Sequence, residues 1–167
     1  MSFALPTLVQ SEELNNHLEH PNLRIVDTSW HLPKAKRNGL QEFEQEHLPG
    51  AVFLDLDEVS DPESELPHTI PKGEYFSKKI GELGIGNDSW VVVYDTIGLF
   101  SAARVWWMFR AFGHERVSLL DGGLIGGTQN VLIYATSNRR HLLSRKTGNN
   151  SDFMRWEEEL DERLSIS

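Results

Sequence analysis

The chain has 167 residues with 25 acidic against 16 basic side chains, a net charge of -9, 39% hydrophobic and 10% aromatic residues; this fits one compact domain and excludes a fibrous or disordered chain and a pair of full catalytic domains. The negative charge, with no basic cluster to offset it, argues against nucleic acid as the partner, and the absence of cysteine excludes disulfides, thiolate metal sites and every cysteine-nucleophile mechanism. No apolar run reaches the roughly 20 residues of a membrane span, and the opening residues carry neither a basic nor a long apolar leader, so a cytoplasmic protein away from membranes is expected.

Ser11 is expected to cap a short helix over Glu12–Leu18, with Glu12 and Glu13 well placed against the helix dipole, and Pro21 to end it. Leu23–Asp27 is apolar, β-branched and short, hence a buried strand. A helical piece over Leu40–Glu46, a Pro49-Gly50 turn and a strand over Ala51–Leu54 follow. Asp55 to Lys72 holds three prolines among many acids and is expected to be a long loop carrying at most one helical turn.

Glu74 to Leu83 places Tyr75, Phe76, Lys79, Ile80 and Leu83 at helical spacing, and Gly84 supplies a left-handed C-cap. Trp90–Tyr94 is apolar on both faces, the pattern of a central strand in a parallel sheet covered on both sides. It ends at Asp95. The loop 96–100 leads into a helix starting near Ser101, with Val105, Trp106, Met108, Phe109 and Phe112 inward and Gly113 as its stop. Val117–Leu120 is a further strand, closed by Asp121-Gly122-Gly123. Beyond it a strand over Val131–Tyr134, a polar stretch over Ser137–Asn150 and a helix over Asp152–Leu164, capped by Ser151, are expected.

Strands alternating with helices define an α/β domain with a mostly parallel sheet, and ligands of such sheets collect outside the carboxyl ends of the strands, where Asp27, Asp55, Asp95 and Asp121 all fall.

The segments IVDTSWHLP (25–33), HLPGAVFLDLD (47–57), LPHTIP (66–71), LGIGNDSWVVVYD (83–95), FSAARVWWMFRAFGH (100–114) and VSLLDGG (117–123) occur in one order. From about Leu8 to Leu124 the chain resembles the amino-terminal, non-catalytic domain of the two-domain thiosulfate/3-mercaptopyruvate sulfurtransferases of the rhodanese family. The resemblance implies a rhodanese-like domain over residues 1–124, a central sheet flanked by helices, and a catalytic rhodanese domain as partner in the parent enzyme. In that partner, a strand-end cysteine carries sulfane sulfur as a persulfide to a thiophilic acceptor, inside a loop lined with N–H groups. The matching loop here is Asp95, Thr96, Gly98, Phe100, Ser101 and Arg104. A carboxylate has none of a thiolate's soft nucleophilicity, so no catalytic residue, cofactor or metal is assigned and the chain is expected to be inactive alone. After Leu124 the family pattern stops, and residues 125–167 are expected to be a divergent, partly helical tail, with truncation or a frame change as the alternative origin.

Each of these residues also has a plain structural reading. Asp95 is expected to accept the hydrogen bonds of its own loop or cap the helix after it. Arg104 is expected to pair with an acidic side chain, with anion recognition as the alternative. His68 is expected to bond a backbone carbonyl, with guarding a pocket as the alternative. Trp106 and Trp107 face different sides of their helix, one toward the core and one toward a neighbouring element. Two other functions are weighed. A rhodanese-like domain without its nucleophile can serve as a binding or regulatory module, self-associating through an exposed docking face. Asp55 and Asp57 fit a magnesium-dependent aspartate-nucleophile phosphatase, but no well-placed downstream lysine follows them.

Overall fold

The structure is a computed structural model that describes residues 4–129; the strand and helix expected beyond Asn130 lie outside the described residues. Five parallel strands form one sheet in the order β1-β5-β4-β2-β3. They are β1 (Leu8–Val9), β2 (Leu23–Asp27), β3 (Val52–Phe53), β4 (Trp90–Tyr94) and β5 (Val117–Leu120). The helices are α1 (Ser11–Asn15), α2 (Gly39–Gln45), α3 (Gly73–Glu82), α4 (Ser101–Ala111) and α5 (Gly123–Gln129).

β4 lies between β2 and β5, and its side chains alternate between two cores. Val91 and Val93 meet Phe76 and Ile80 of α3 and Val105, Met108 and Phe109 of α4, whereas Val92 and Tyr94 meet Leu14 of α1, Ile25, Leu48 and Leu124 of α5. Burying one such side chain contributes roughly 1.5–3 kcal/mol, which explains why an unbroken β-branched run belongs in the middle of the sheet. On α4 the buried positions Ser101, Ala102, Val105, Met108 and Phe109 follow helical spacing. Trp106 packs against the core while Trp107 stays exposed, as their adjacency requires.

One local expectation is corrected. Ser11 is the first residue of α1 rather than its cap; Gln10 holds the cap position in extended conformation without a side-chain hydrogen bond, and the helix stops at Asn15. Residues 54–72 form the expected long loop, made of turns without a helix. That segment is anchored instead by Leu56 and Val59, which are buried in the α3/α4 core, and by the Asp61 N–H donating to the Thr69 carbonyl at 2.9 Å. Prolines at 62, 67 and 71 remove the donors a helix would need.

Candidate functional site: a carboxylate-filled loop and an aromatic rim

At the carboxyl end of β4 the chain turns through Asp95–Phe100 into α4. The Asp95 carboxylate is buried inside this turn. Its Oδ1 accepts from the N–H groups of Ile97, at 3.1 Å, and Gly98, and its Oδ2 accepts from the Ala102 N–H at 2.9 Å and, at 3.5 Å, from the Ser101 hydroxyl. The expectation that Asp95 satisfies its own loop therefore matches the geometry. The turn needs left-handed backbone at Gly98 (φ 96°), which glycine adopts freely, and at Leu99 (φ 66°), which leucine adopts only under strain. Gly123, at the start of α5, packs so closely on the Asp95 carbonyl that a β-carbon would collide with it, while the Leu124 N–H donates to the same oxygen at 2.9 Å.

The loop after β2 is stitched to this turn. Thr28 donates twice to the Tyr94 carbonyl, from its N–H at 2.9 Å and its hydroxyl at 3.0 Å. The Thr96 N–H donates to Ser29 Oγ at 3.1 Å, and the Trp30 N–H donates to Ser101 Oγ at 3.2 Å. Asp27 accepts the Ser29 N–H at 2.9 Å, and burial holds its carboxyl above the ordinary carboxylate range. Burial likewise raises the Tyr94 phenol well above its usual value; its oxygen accepts the Leu48 N–H at 3.2 Å.

Outside this stitched pair of loops lies an aromatic rim. Trp30 Nε1 donates to Asp57 Oδ2 at 3.0 Å, and His68 Nε2 bonds Asp57 Oδ1 at 2.8 Å. The Trp30 and His68 rings meet edge to face at 4.5 Å, and Phe100 stacks on Trp30 at 6.4 Å. His68 therefore bonds a carboxylate with its ring, not the backbone carbonyl expected for it. Its own carbonyl, presented by a left-handed backbone (φ 55°), accepts from Arg104 Nη2 at 2.9 Å. Arg104 is corrected as well: it makes no ion pair with a described carboxylate, and its guanidinium instead stacks over Trp107 at 4.7 Å.

Asp95, Thr96, Gly98, Phe100, Ser101 and Arg104 thus do share one end of the sheet, but they divide into the buried Asp95 and Ser101 with the exposed Gly98 that closes their turn, and an outer rim (Phe100, Arg104), with Thr96 as the tie between loops. Ser29, Trp30 and the Asp57–His68 pair were not placed there by sequence reasoning. The available signal was Thr28-Ser29-Trp30 directly after a strand that ends on the ligand side of the sheet. The Asp55–Asp57 pair of the phosphatase alternative has Asp57 engaged by Trp30 and His68, and among the described residues no cluster of three or more metal-ligating side chains occurs.

The profile of the Rhodanese-like domain family matches residues 10–130, and that of a protein of unknown function (DUF815) matches residues 114–167. The chain is 51% identical over 117 residues to thiosulfate/3-mercaptopyruvate sulfurtransferase 1, mitochondrial, of Arabidopsis thaliana, covering 70% of this chain and 31% of that one. It is 54% identical over 104 residues to human 3-mercaptopyruvate sulfurtransferase, covering 61% and 35%. A crystal structure of SseA from Escherichia coli, described as a 3-mercaptopyruvate sulfotransferase with the rhodanese fold, superposes with a TM-score of 0.73 at 41% identity, covering 78% of this chain and 50% of that one. The chain spans between 31% and 45% of the length of these and similar curated relatives. With a parallel five-stranded sheet, flanking helices and a family match over most of the described residues, this chain belongs to the rhodanese-like domain family.

Proposed function

We propose that this chain is the non-catalytic rhodanese-like domain of a thiosulfate/3-mercaptopyruvate sulfurtransferase, serving sulfane sulfur transfer by packing on a cysteine-bearing catalytic domain and shaping the cleft between them. The observation that carries this reading is the turn after β4. Where persulfide chemistry needs a thiolate, the turn holds the Asp95 carboxylate, whose oxygens are saturated by N–H and hydroxyl donors, and no cysteine occurs anywhere in the chain. A carboxylate forms no stable bond to sulfane sulfur, so the domain contributes surface rather than chemistry. The relatives named as sulfurtransferases carry more than half of their length outside the match, which leaves room for such a domain.

The test is sulfur transfer from thiosulfate and from 3-mercaptopyruvate to cyanide by the pure chain. Turnover should stay at background; persulfide-dependent turnover overturns the reading.

Residues 1–124 are proposed as the domain proper and 125–167 as a divergent tail. Support for the tail is that the rhodanese-like match ends at residue 130. Limited proteolysis should spare the first part and cut the second. The cytoplasm is the proposed compartment, and fractionation checks it, since one relative is named as mitochondrial.

A further inference from the structure

Asn38 and Gly39 form the one Asn-Gly pair in the chain, and each is fixed by a separate structural demand. Asn38 is exposed at the cap position of α2, where its Oδ1 accepts the Gln41 N–H at 3.0 Å and its carbonyl accepts the Glu42 N–H at 3.1 Å. Gly39 lies so close to the Ser29 carbonyl that a β-carbon would collide with it, and the Phe53 ring closes the same space at 3.4 Å. A capping carboxamide is thus followed by the residue type that the packing demands. Glycine has no side chain to shield its main-chain nitrogen, so that nitrogen can approach the carboxamide carbon of the residue before it.

The local structure decides when it does. Asn38 is extended (φ -129°, ψ 114°), with its side chain held on the helix amide rather than on Gly39; closing a five-membered ring requires a rotation about ψ that breaks the cap. Glu42 opposes that rotation. Its Oε1 accepts from Arg37 Nε at 2.7 Å, and its Oε2 accepts from Arg37 Nη2 at 2.9 Å and bonds His31 Nε2 at 2.9 Å, which ties the residue before Asn38 to the first turn of α2. Favouring the rotation, α2 has seven residues and none of them is fully buried, Phe43 being only partly buried against the core. A helix held so lightly opens its first turn far more often than the domain unfolds.

We propose that Asn38-Gly39 is a site of spontaneous hydrolytic deamidation, gated by opening of the first turn of α2. In the open turn hydroxide takes the Gly39 amide proton and the nitrogen attacks Asn38 Cγ. The N–Cγ bond forms, the Cγ–Nδ2 bond breaks, and ammonia leaves with a proton from water, which restores the hydroxide. Water then opens the succinimide. Addition at Cγ gives aspartate, an equally good cap whose charge suits the helix dipole. Addition at the main-chain carbonyl carbon gives isoaspartate, which inserts a methylene group into the backbone before Gly39 and withdraws the cap.

The test holds the full chain in warm, mildly alkaline buffer, with and without urea, and follows each asparagine by peptide mapping and isoaspartate by enzymatic methylation. In the folded chain the Asn38 peptide should gain about one dalton while the peptides of Asn22 and Asn87, followed by residues with side chains, stay unchanged. Urea should speed the Asn38 reaction about fivefold or more, the factor supplied by one hydrogen bond of local stability, and Glu42→Ala should speed it in native buffer. Asn38→Ser, which keeps a capping oxygen, should melt as the parent does and show no mass gain in that peptide. The isolated isoaspartyl fraction should melt below the parent, and Asn38→Asp should not. No gain at Asn38 in the folded chain, equal rates with and without urea, a rate indifferent to Glu42→Ala, or an isoaspartyl fraction that melts as the parent does would each overturn the proposal.

Discussion

Ser101, the first residue of α4, and Trp30, in the loop after β2, are joined by one bond, the Trp30 N–H donating to Ser101 Oγ at 3.2 Å, while the Ser101 hydroxyl points to Asp95 Oδ2 at 3.5 Å. The buried carboxylate at the end of the central strand is thereby connected to the aromatic ring at the surface. Asp95 organises its turn, the turn sets Ser101, and Ser101 helps to fix the residue whose indole holds Asp57 and faces His68.

Removing the carboxylate should therefore cost stability. Asp95→Ala leaves the N–H groups of Ile97, Gly98 and Ala102 without their acceptor, and bonds to a charged group are worth about 1.5–3 kcal/mol each, so a loss of at least ~2 kcal/mol is expected in urea unfolding. Asp95→Asn, which keeps one carbonyl oxygen, should lose less. Equal midpoints for the parent and the alanine variant would contradict the role given to Asp95.

Ser101→Ala removes the acceptor of the Trp30 N–H without touching the rim itself. The expected outcome is a loss of about 1 kcal/mol together with altered quenching of Trp30 fluorescence. Reading it requires a background in which the other tryptophans are phenylalanine, and an unchanged Trp30 signal there would show that the two loops are not coupled.

Gly123 combines a left-handed backbone (φ 57°) with contact on the Asp95 carbonyl. Gly123→Ala should destabilise by roughly 1–3 kcal/mol or more through backbone strain and collision. Gly86→Ala, at ordinary φ with open space around it, serves as the control and should change little.

His114 is buried beside Phe109, and burial pushes its pKa down from 6.5 to about 4. Between those values the unfolded chain binds a proton that the folded chain refuses, so stability falls as pH drops from about 6.5 toward 4 and is unaffected by this residue above that window. Urea midpoints measured at pH 7 and pH 5 should show the drop, and His114→Gln should flatten it. An equal drop in both proteins would assign the acid sensitivity to other groups.

Burial also separates aromatic residues that the sequence leaves alike. Phe109 is fully buried and Phe100 is 50% exposed. Phe109→Ala should cost about 3–5 kcal/mol, whereas Phe100→Ser should stay within about 0.5–1 kcal/mol in thermal unfolding of the free chain.

The order from α1 to β5 was legible in local sequence, whereas β1 and α5 were not. Short apolar runs ending at an aspartate marked β2, β4 and β5, and the left-handed Gly84 marked the end of α3. The Ser11 cap failed because the helix started one residue early, leaving the serine side chain inside the first turn. His68 and Arg104 failed for a different reason. Each was assigned the partner commonest for its type, whereas their actual partners lie 11 and 36 residues away along the chain.

Residue types and their spacing were enough to determine the α/β class, an aspartate at the end of the central strand and the absence of any thiol, since propensity, periodicity and composition are properties of the chain itself. Which loops share the carboxyl end of the sheet was decided only in three dimensions. Inserting β4 between β2 and β5 brings Ser29 and Trp30 against Thr96 and Ser101, about 70 residues apart in sequence. That choice minimises exposed apolar area over the whole sheet, a sum over every layer that no short stretch of residues contains.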